Sequence, residues 1–202
     1  MGIYIFTAEK LYKYLEEDEK NKNSSNDFGK DILPAMLNAG EKMVAYSFSG
    51  YWKDVGTISS LYDANMDLLG DRPEFDITDT VWRLHSRNPI APPHYIGEDG
   101  KLSNSLVSLG CQINGSVEHS VLGNNVVVKK GAIVKDSVIF SGTIIEENAV
   151  VENAIIDEKV VVGKSAKVGG EVENGERKIA VIGRDYHLEA RKHIKPGEIV
   201  EA

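Results

Sequence analysis

Cysteine is almost absent from this sequence, which has Cys111 alone among its 202 residues. An internal disulfide needs two cysteines and is therefore excluded, and a reducing compartment fits this composition. Long apolar runs are also lacking, since no stretch approaches the roughly 18 residues that a membrane-spanning helix needs. The N-terminus has neither the basic segment nor the small-residue cleavage site of a secretion signal. We therefore expect a cytoplasmic protein with no membrane partner.

Basic residues are in the minority, because 23 lysines and arginines stand against 31 acidic residues and give a formal net charge of −8. A protein that binds nucleic acid needs a positively charged surface to neutralise phosphates. The charge balance therefore argues against a nucleic-acid partner. It leaves small anionic ligands open, because these need only a local cationic pocket.

A repeat of 17 residues occupies much of the C-terminal half. Segments 120–136, 137–153 and 154–170 align without gaps, and large aliphatic residues recur about every six residues within each segment. This period gives each coil three short faces, and a sandwich of short strands would not hold such a register through three units. We therefore predict a β-solenoid. The three aliphatic columns are Leu122, Ile139 and Ile156; Val128, Ile145 and Val162; and Val134, Val151 and Val168.

Small residues precede two of these columns by two positions, which places them on the same face of a strand. Each such face would send one large and one small side chain inward, as a narrow triangular core requires. Residues that turn readily or tolerate a positive φ occupy the corners. The small columns are Ser120, Ser137 and Ala154, then Ala132, Ala149 and Ala166; the corner columns are Asn125, Gly142 and Lys159, then Gly131, Asn148 and Ser165, then Asp136, Asn153 and Gly170.

We expect the solenoid to extend beyond these three coils on both sides. Val107, Ile113 and Val117 predict an irregular first coil. Residues 171–178 form a polar break. Aliphatic residues then return at a spacing of six, namely Ile182, Leu188, Ile194 and Val200.

Three helices are predicted in the N-terminal part. Thr7 caps the first, which runs through about Lys20. The second covers residues 27–39, and Gly40 ends it. Thr57 caps the third. The expected apolar face of this third helix consists of Ile58, Leu61, Tyr62, Met66 and Leu69.

Residues 43–48 alternate between apolar and polar side chains like a β-strand. With the helices, this strand predicts an α/β domain over residues 1–70. Residues 71–101 hold four of the six prolines and predict a linker. Residues 102–202 form the predicted solenoid domain. Trp82 is apolar enough to pack against a neighbour, so we expect the linker to be ordered.

Residues 50–57, with the sequence GYWKDVGT, are the densest candidate site. They place Asp54 beside Lys53 between a predicted strand end and a capped helix, and ligand sites in α/β sheets favour such a position. Asp54 could hold a divalent metal, and Trp52 could form an apolar wall for a sugar. A surface turn with an ordinary Asp–Lys pair is the alternative that these residues leave open.

A second candidate, SSNDFGKD at residues 24–31, centres on Asp27. A carboxylate at this position either caps the following helix through its free N–H groups or accepts hydrogen bonds from ligand hydroxyls.

Other reactive residues have simpler interpretations beside functional ones. His119 at a coil boundary is either a base for acyl transfer or a solvated loop histidine. Cys111 is most simply a small core residue. A basic cluster could bind an anion or form a solvated edge of the solenoid, and it consists of Arg184, Arg191, Lys192, His193 and Lys195.

The order of motifs resembles that of bacterial glucose-1-phosphate adenylyltransferase (ADP-glucose pyrophosphorylase). MGIYIF, SSNDFGKDI, GYWKDVGT, NSLVSLGC and the hexapeptide coils follow one another along the chain. The resemblance covers the C-terminal half of that family. It implies a partial α/β region, the remnant of a Rossmann-like nucleotidyltransferase domain, followed by a left-handed parallel β-helix of hexapeptide-repeat type.

The resemblance also implies an activity and a set of site residues. The family combines ATP with glucose 1-phosphate to give ADP-glucose and pyrophosphate in glycogen synthesis, and it uses Mg²⁺. Asp54 matches its second metal-binding carboxylate and is the residue expected in catalysis. Positions lining the family's glucose pocket match Tyr4, Asp27, Phe28 and Trp52.

Several family features have no counterpart in this sequence, including the Gly-rich nucleotide loop, the first metal-binding Asp and the sugar-phosphate Lys. Met1 follows the position of a family serine, so we expect an internal methionine used as a start or an engineered cut. The chain by itself is therefore expected to be inactive and not to hold Mg²⁺.

Two other function classes remain open. The β-helix could act as an oligomerisation or regulatory module, since the family forms homotetramers. A hexapeptide acyltransferase is the third possibility, and the YWKDVGT and DFGKD motifs argue against it.

Overall fold

The computed structural model describes residues 2–86, 89–172 and 175–201. Two compact units divide between Gly50 and Tyr51. Within the described ranges, no helix is long and apolar enough to cross a membrane.

The N-terminal unit consists of short helices around a small core. Helix α1 spans Ala8–Glu19, a π-helical turn spans Phe28–Ile32, and helix α2 spans Leu33–Asn38. Gly40, at a φ of 72°, follows this second helical segment as predicted. Both predicted helices of this unit are confirmed, although Thr7 stands at the N-cap without a side-chain capping bond. The buried core residues are Tyr14, Ile32 and Met36.

The strand predicted at residues 43–48 was wrong. No strand forms between residues 2 and 50, and Val44 and Tyr46 are 81% and 88% exposed. A strand needs a partner for its backbone N–H and C=O groups, and no described segment of this unit pairs with it. The described part of the unit is therefore helical rather than α/β.

The C-terminal unit is the β-solenoid that the 17-residue period predicts. Three parallel six-stranded sheets form its faces, and it corresponds to a left-handed β-helix of hexapeptide type. We name the sheets A, B and C. Sheet A contains β1 (Tyr95–Ile96), β4 (Gln112–Ile113), β7 (Val127–Val128), β10 (Ile144–Ile145), β13 (Val161–Val162) and β16 (His187–Leu188).

The other two sheets have the same stacking order along the axis. Sheet B contains β2 (Lys101–Ser103), β5 (Ser116–Glu118), β8 (Ile133–Lys135), β11 (Val150–Glu152), β14 (Lys167–Gly169) and β17 (His193–Ile194). Sheet C contains β3 (Leu106–Val107), β6 (Val121–Leu122), β9 (Val138–Ile139), β12 (Ala154–Ile156), β15 (Ala180–Ile182) and β18 (Ile199–Val200).

The predicted columns lie in register on successive coils. Leu122 pairs with Ile139, and Ile139 pairs with Ile156, and all three side chains are buried. The small columns are buried as well. Ser137 donates its backbone N–H to the Ser120 hydroxyl at 3.1 Å, so this column also links two coils by a hydrogen bond.

The corners adopt the predicted conformations, with one displacement of a single residue. Asn125, Gly142 and Lys159 all have positive φ. In the third corner column the positive φ belongs to Gly169 rather than to Gly170. A Cβ on Gly169 would stand 1.9 Å from the carbonyl oxygen of Glu152, so both the φ and the close approach require glycine there.

The irregular coils differ from the regular ones by a shortened side and an inserted loop. Successive inward residues are usually six, six and five positions apart, whereas Ile113 and Val117 are only four apart. Near the other end, Val168 and Ile182 are 14 positions apart across the predicted polar break.

The solenoid begins earlier than the sequence boundary at residue 102. Tyr95 and Ile96 pair with Gln112 and Ile113, so the predicted linker 71–101 already contains the first strand. Trp82 in the same linker is 84% exposed and does not pack as expected.

Helix α3, at Ile58–Met66, covers the outer face of sheet C. Thr57 caps it in a capping box with Ser60. Tyr62 is fully buried against Val138 and Ile155, and its hydroxyl donates to the carbonyl oxygen of Asp136 at 2.8 Å. This burial raises the pKa of Tyr62 to about 12.

We predict that Gly169→Ala destabilises the solenoid more than Gly175→Ala does. Gly175 has a similar φ of 77°, and no described atom would lie within 4 Å of its new Cβ. Gly175→Ala should therefore cost only the left-handed backbone conformation, about 1–2 kcal/mol. Gly169→Ala adds an overpacking cost of about 1–3 kcal/mol. Urea unfolding followed by circular dichroism measures both, and equal losses would contradict the close approach.

We predict that alkaline pH weakens the docking of α3. The neutral phenol of Tyr62 is the form that is buried, so its contribution is complete below the unfolded pKa of about 10. It is lost as the pH rises through the folded pKa of about 12. Tyr62→Phe should lower the free energy of unfolding by about 1 kcal/mol at neutral pH, because one hydrogen bond is lost. The variant should also lose this part of the pH dependence.

Urea midpoints near neutral pH and at pH about 11 measure this effect. Tyr12→Phe is the matched control, since Tyr12 is 62% exposed. An identical alkaline loss in wild-type protein and Tyr62→Phe would contradict the assignment.

Candidate functional site

Three aromatic rings form a cluster in the N-terminal unit. The ring centroids of Tyr4, Phe6 and Phe28 are 5.9 Å apart in each pair, and Tyr4 stacks on Phe28 with 17° between the ring planes. Phe6 packs against the small helical core. Tyr4 and Phe28 remain 42% and 37% exposed. The structure thus brings together two of the predicted sugar-contacting residues, and an exposed stacked surface suits the apolar face of a ligand ring.

Asp27 is the N-cap of the π-helical turn that begins at Phe28. Its Oδ1 atom accepts hydrogen bonds from the backbone N–H groups of Gly29 at 2.8 Å and Lys30 at 2.9 Å. The capping interpretation is therefore correct for this oxygen. Both bonds end on Oδ1, so Oδ2 is the atom that a ligand hydroxyl would meet.

Asp31 holds the loop that leads into this cap. Its Oδ2 atom accepts from the Ser25 hydroxyl at 2.6 Å, and from the backbone N–H groups of Ser25 and Asp27, each at 3.1 Å. The bond from the Ser25 hydroxyl lowers the pKa of Asp31. The SSND turn therefore has a defined shape before any ligand is present.

The YWKDVGT segment presents Trp52 and Asp54 from the C-terminal unit. Trp52 is 47% exposed, and the exposed Asp54 accepts a hydrogen bond on Oδ1 from the backbone N–H of Gly56 at 3.1 Å. The capped helix α3 follows the segment as predicted. The strand expected before this segment does not form in the described residues.

Lys53 pairs with Asp67 and not with Asp54, its neighbour in the sequence. Lys53 Nζ lies 2.5 Å from Oδ2 of Asp67. The Tyr51 hydroxyl donates to the same oxygen at 2.9 Å. Sequence reasoning missed Asp67, because only the fold brings the end of α3 beside residues 51–53.

The YWKDVGT segment provides one predicted ligand for a divalent metal, the carboxylate of Asp54. Mg²⁺ takes about six oxygen ligands in near-octahedral geometry. Within the described ranges, no group of three or more histidine, cysteine or acidic residues lies close enough to hold a metal ion. Asp54 therefore fits the role of a single carboxylate ligand, and these residues do not fit a complete magnesium site.

His119 interacts with an acidic residue of the next coil. Its Nδ1 atom lies 2.6 Å from Oδ1 of Asp136, and both residues occupy corner positions with positive φ. This contact shows that the imidazole is not a freely solvated loop histidine. It stabilises a corner of the solenoid.

Cys111 and two residues of the basic cluster have structural partners. Cys111 is buried and its thiol donates to the carbonyl oxygen of Gly123 at 3.0 Å, which agrees with a core role. Burial raises the pKa of this thiol. In the basic cluster, Arg184 pairs with Glu158 at 2.8 Å and Lys192 pairs with Glu189 at 3.6 Å.

Two family models match different parts of the chain. A model described as nucleotidyl transferase matches residues 1–71. A model described as GlmU-like, C-terminal hexapeptide, matches residues 93–186. The two matches correspond to the helical region and the solenoid.

Several curated proteins are similar to part of this chain. A glucose-1-phosphate adenylyltransferase of Clostridium botulinum (strain Alaska E43 / Type E3) is 59% identical over 136 residues. Proteins of the same name from Clostridium beijerinckii and Bacillus cereus are 56% and 54% identical over 136 residues. The aligned part of the chain is therefore similar to glucose-1-phosphate adenylyltransferases. This finding agrees with the resemblance that the sequence motifs indicate.

The match covers only part of this chain and only part of each relative. The 136 aligned residues are 67% of this chain, and they are 35% of the Clostridium proteins and 36% of the Bacillus protein. The chain thus spans about a third of the length of the adenylyltransferases it matches.

Proposed function

We propose that this chain supplies the glucose-contacting residues and the β-helix of a glucose-1-phosphate adenylyltransferase. The complete enzyme would combine ATP with glucose 1-phosphate to form ADP-glucose and pyrophosphate. One observation carries the proposal: a nucleotidyl transferase match over residues 1–71 and a hexapeptide match over residues 93–186 occur in one chain. A hexapeptide acyltransferase would not be expected to contain the nucleotidyl transferase region.

Candidate sugar-contacting residues occur in each of the two units, and they are considered unit by unit. In the N-terminal unit, the stacked rings of Tyr4 and Phe28 contact the apolar face of the glucose ring. Asp27 accepts a glucose hydroxyl on Oδ2, while Oδ1 remains bound to the helix N–H groups. In the C-terminal unit, Trp52 offers its exposed indole as a further ring surface.

Asp54 is the residue that we propose binds the metal and takes part in catalysis. Bound Mg²⁺ would offset negative charge on the phosphates during attack by the sugar phosphate. Asp54 would provide one oxygen ligand, held in place by its hydrogen bond from Gly56. The other ligands would come from the phosphates and from residues that this sequence does not contain.

We predict that the purified 202-residue chain forms no ADP-glucose from ATP, glucose 1-phosphate and Mg²⁺. Phosphoryl and nucleotidyl transfer depend on positioned groups that stabilise charge, and the loss of one such group typically costs ~10²-fold in rate. ADP-glucose should still quench the fluorescence of Trp52, because the sugar contacts are present. A Trp82→Phe background leaves Trp52 as the only indole.

The Bacillus cereus relative, assayed in the same buffer, is the positive control for product formation. Asp27→Asn in the Trp82→Phe background tests the sugar contact, since this change keeps an oxygen for capping and removes the charge. Formation of ADP-glucose by the chain alone would contradict the predicted inactivity. Absence of any saturable quenching would contradict the sugar contacts.

A second function, assembly with further copies, is favoured by the outer face of sheet A. Val127, Ile144 and Val161 pair in register and point away from the buried Val128, Ile145 and Val162. They form a partly exposed aliphatic stripe across three coils. The matching face of sheet C is covered by α3. We propose that the stripe packs against a second copy of the chain, as in a homo-oligomer.

We predict that Ile144→Lys weakens self-association without unfolding the solenoid. The new charge would stand at the centre of the stripe, where an interface would bury it at a cost of several kcal/mol. Light scattering coupled to size exclusion measures the mass. Ile133→Lys is the matched control, because Ile133 is 45% exposed on sheet B. A monomeric wild-type chain, or equal effects of both variants, would contradict the assembly surface.

A further inference from the structure

The alternation of side chains in the YWKDVGT segment separates two sets of residues. Tyr51 and Lys53 both reach the same carboxylate oxygen of Asp67, at 2.9 Å and 2.5 Å. Side chains two positions apart share a face of an extended backbone. Trp52 and Asp54 therefore project from the opposite face, and both are exposed. The contacts of Tyr51 and Lys53 therefore also set the direction in which Trp52 and Asp54 project.

Asp67 occupies a position that is electrostatically unfavourable for a carboxylate. It is the C-cap residue of helix α3, where the helix dipole places partial negative charge. A cation is normally preferred there. The interaction with Lys53 and Tyr51 offsets this repulsion, so the contact accounts for an acidic residue that the helix alone does not favour.

Asp67 is also attached to a rigid part of the molecule. Helix α3 is anchored on sheet C through the fully buried Tyr62. Beyond the helix, the carbonyl oxygen of Asp67 accepts from the backbone N–H of Glu74 at 3.0 Å, and Phe75 stacks on Tyr51 at 5.2 Å. The face opposite Trp52 and Asp54 is thus held by two hydrogen bonds to the Asp67 carboxylate and by a ring contact.

We propose that Asp67 is a positioning residue that fixes the exposed Trp52 and Asp54 by anchoring Tyr51 and Lys53 to the end of helix α3. Asp67 itself touches no ligand. The role of the two positioned residues rests on the proposed function, whereas the anchoring itself does not.

Asp67→Asn tests the anchor in the full chain with Trp82→Phe as background. The amide removes the charge that holds Lys53, and the loss of one charge-assisted hydrogen bond raises the population of the detached segment by about ten-fold. Acrylamide quenching and fluorescence anisotropy of Trp52 report on this motion. We expect a higher quenching constant and a lower anisotropy, with an unchanged circular dichroism spectrum.

Asp63→Asn is the matched control. Asp63 lies on the same helix and pairs with Arg177 at 3.7 Å rather than with the Trp52 segment. It should leave Trp52 unaffected. Asp67→Glu should restore part of the anisotropy, because the charge is kept. Lys53→Met should reproduce the effect of Asp67→Asn from the other side of the contact.

The outcomes separate the anchor from the proposed function. Unchanged Trp52 quenching in Asp67→Asn, or an equal change in Asp63→Asn, would overturn the anchor. If the anchor is found, a weaker fluorescence response to ADP-glucose in Asp67→Asn would support its positioning role. A response to ADP-glucose that is normal in Asp67→Asn despite a mobile Trp52 would overturn that role. Absence of any response in the parent chain would count against the proposed function alone.

Discussion

Direct stacking of each coil on the next is the constraint on which the rest of this structure depends. A parallel ladder places like residues above one another, so each inward column must fill the same narrow triangular interior on every level. Large aliphatic residues such as Ile145 share that interior with small ones such as Ala149, and both are completely buried. The positive φ of Asn125 and Lys159 turns the chain at each level.

The solenoid also serves as a fixed surface for the residues that precede it. Its sheet C has an apolar outer face, and α3 lies on that face through Tyr62. The end of α3 then holds Tyr51 and Lys53 through Asp67. A chain of contacts thus runs from the outer face of sheet C to the segment that presents Trp52 and Asp54.

The candidate site residues of the N-terminal unit are held in a different way. Its stacked Tyr4 and Phe28 and the bound turn around Asp27 are local arrangements, fixed by short-range bonds and one small core. Ile5 and Val44, by contrast, are 99% and 81% exposed. Apolar side chains on extended backbone are typical of strands within a covered sheet. Such segments suit burial against a surface that the described residues of this unit do not provide.

The sequence by itself determined the features that depend on local or periodic signals. These include the 17-residue coils, nearly all of their corners, the caps at Asp27 and Thr57, and the family to which the motifs point. Only the tertiary structure decided which distant residues meet. The pairing of Lys53 with Asp67, the contact of His119 with Asp136 and the unpaired state of residues 43–48 all depend on where remote segments lie. The periodicity of a sequence indicates whether a residue is buried or exposed. Which distant residue it contacts depends on the path of the whole chain.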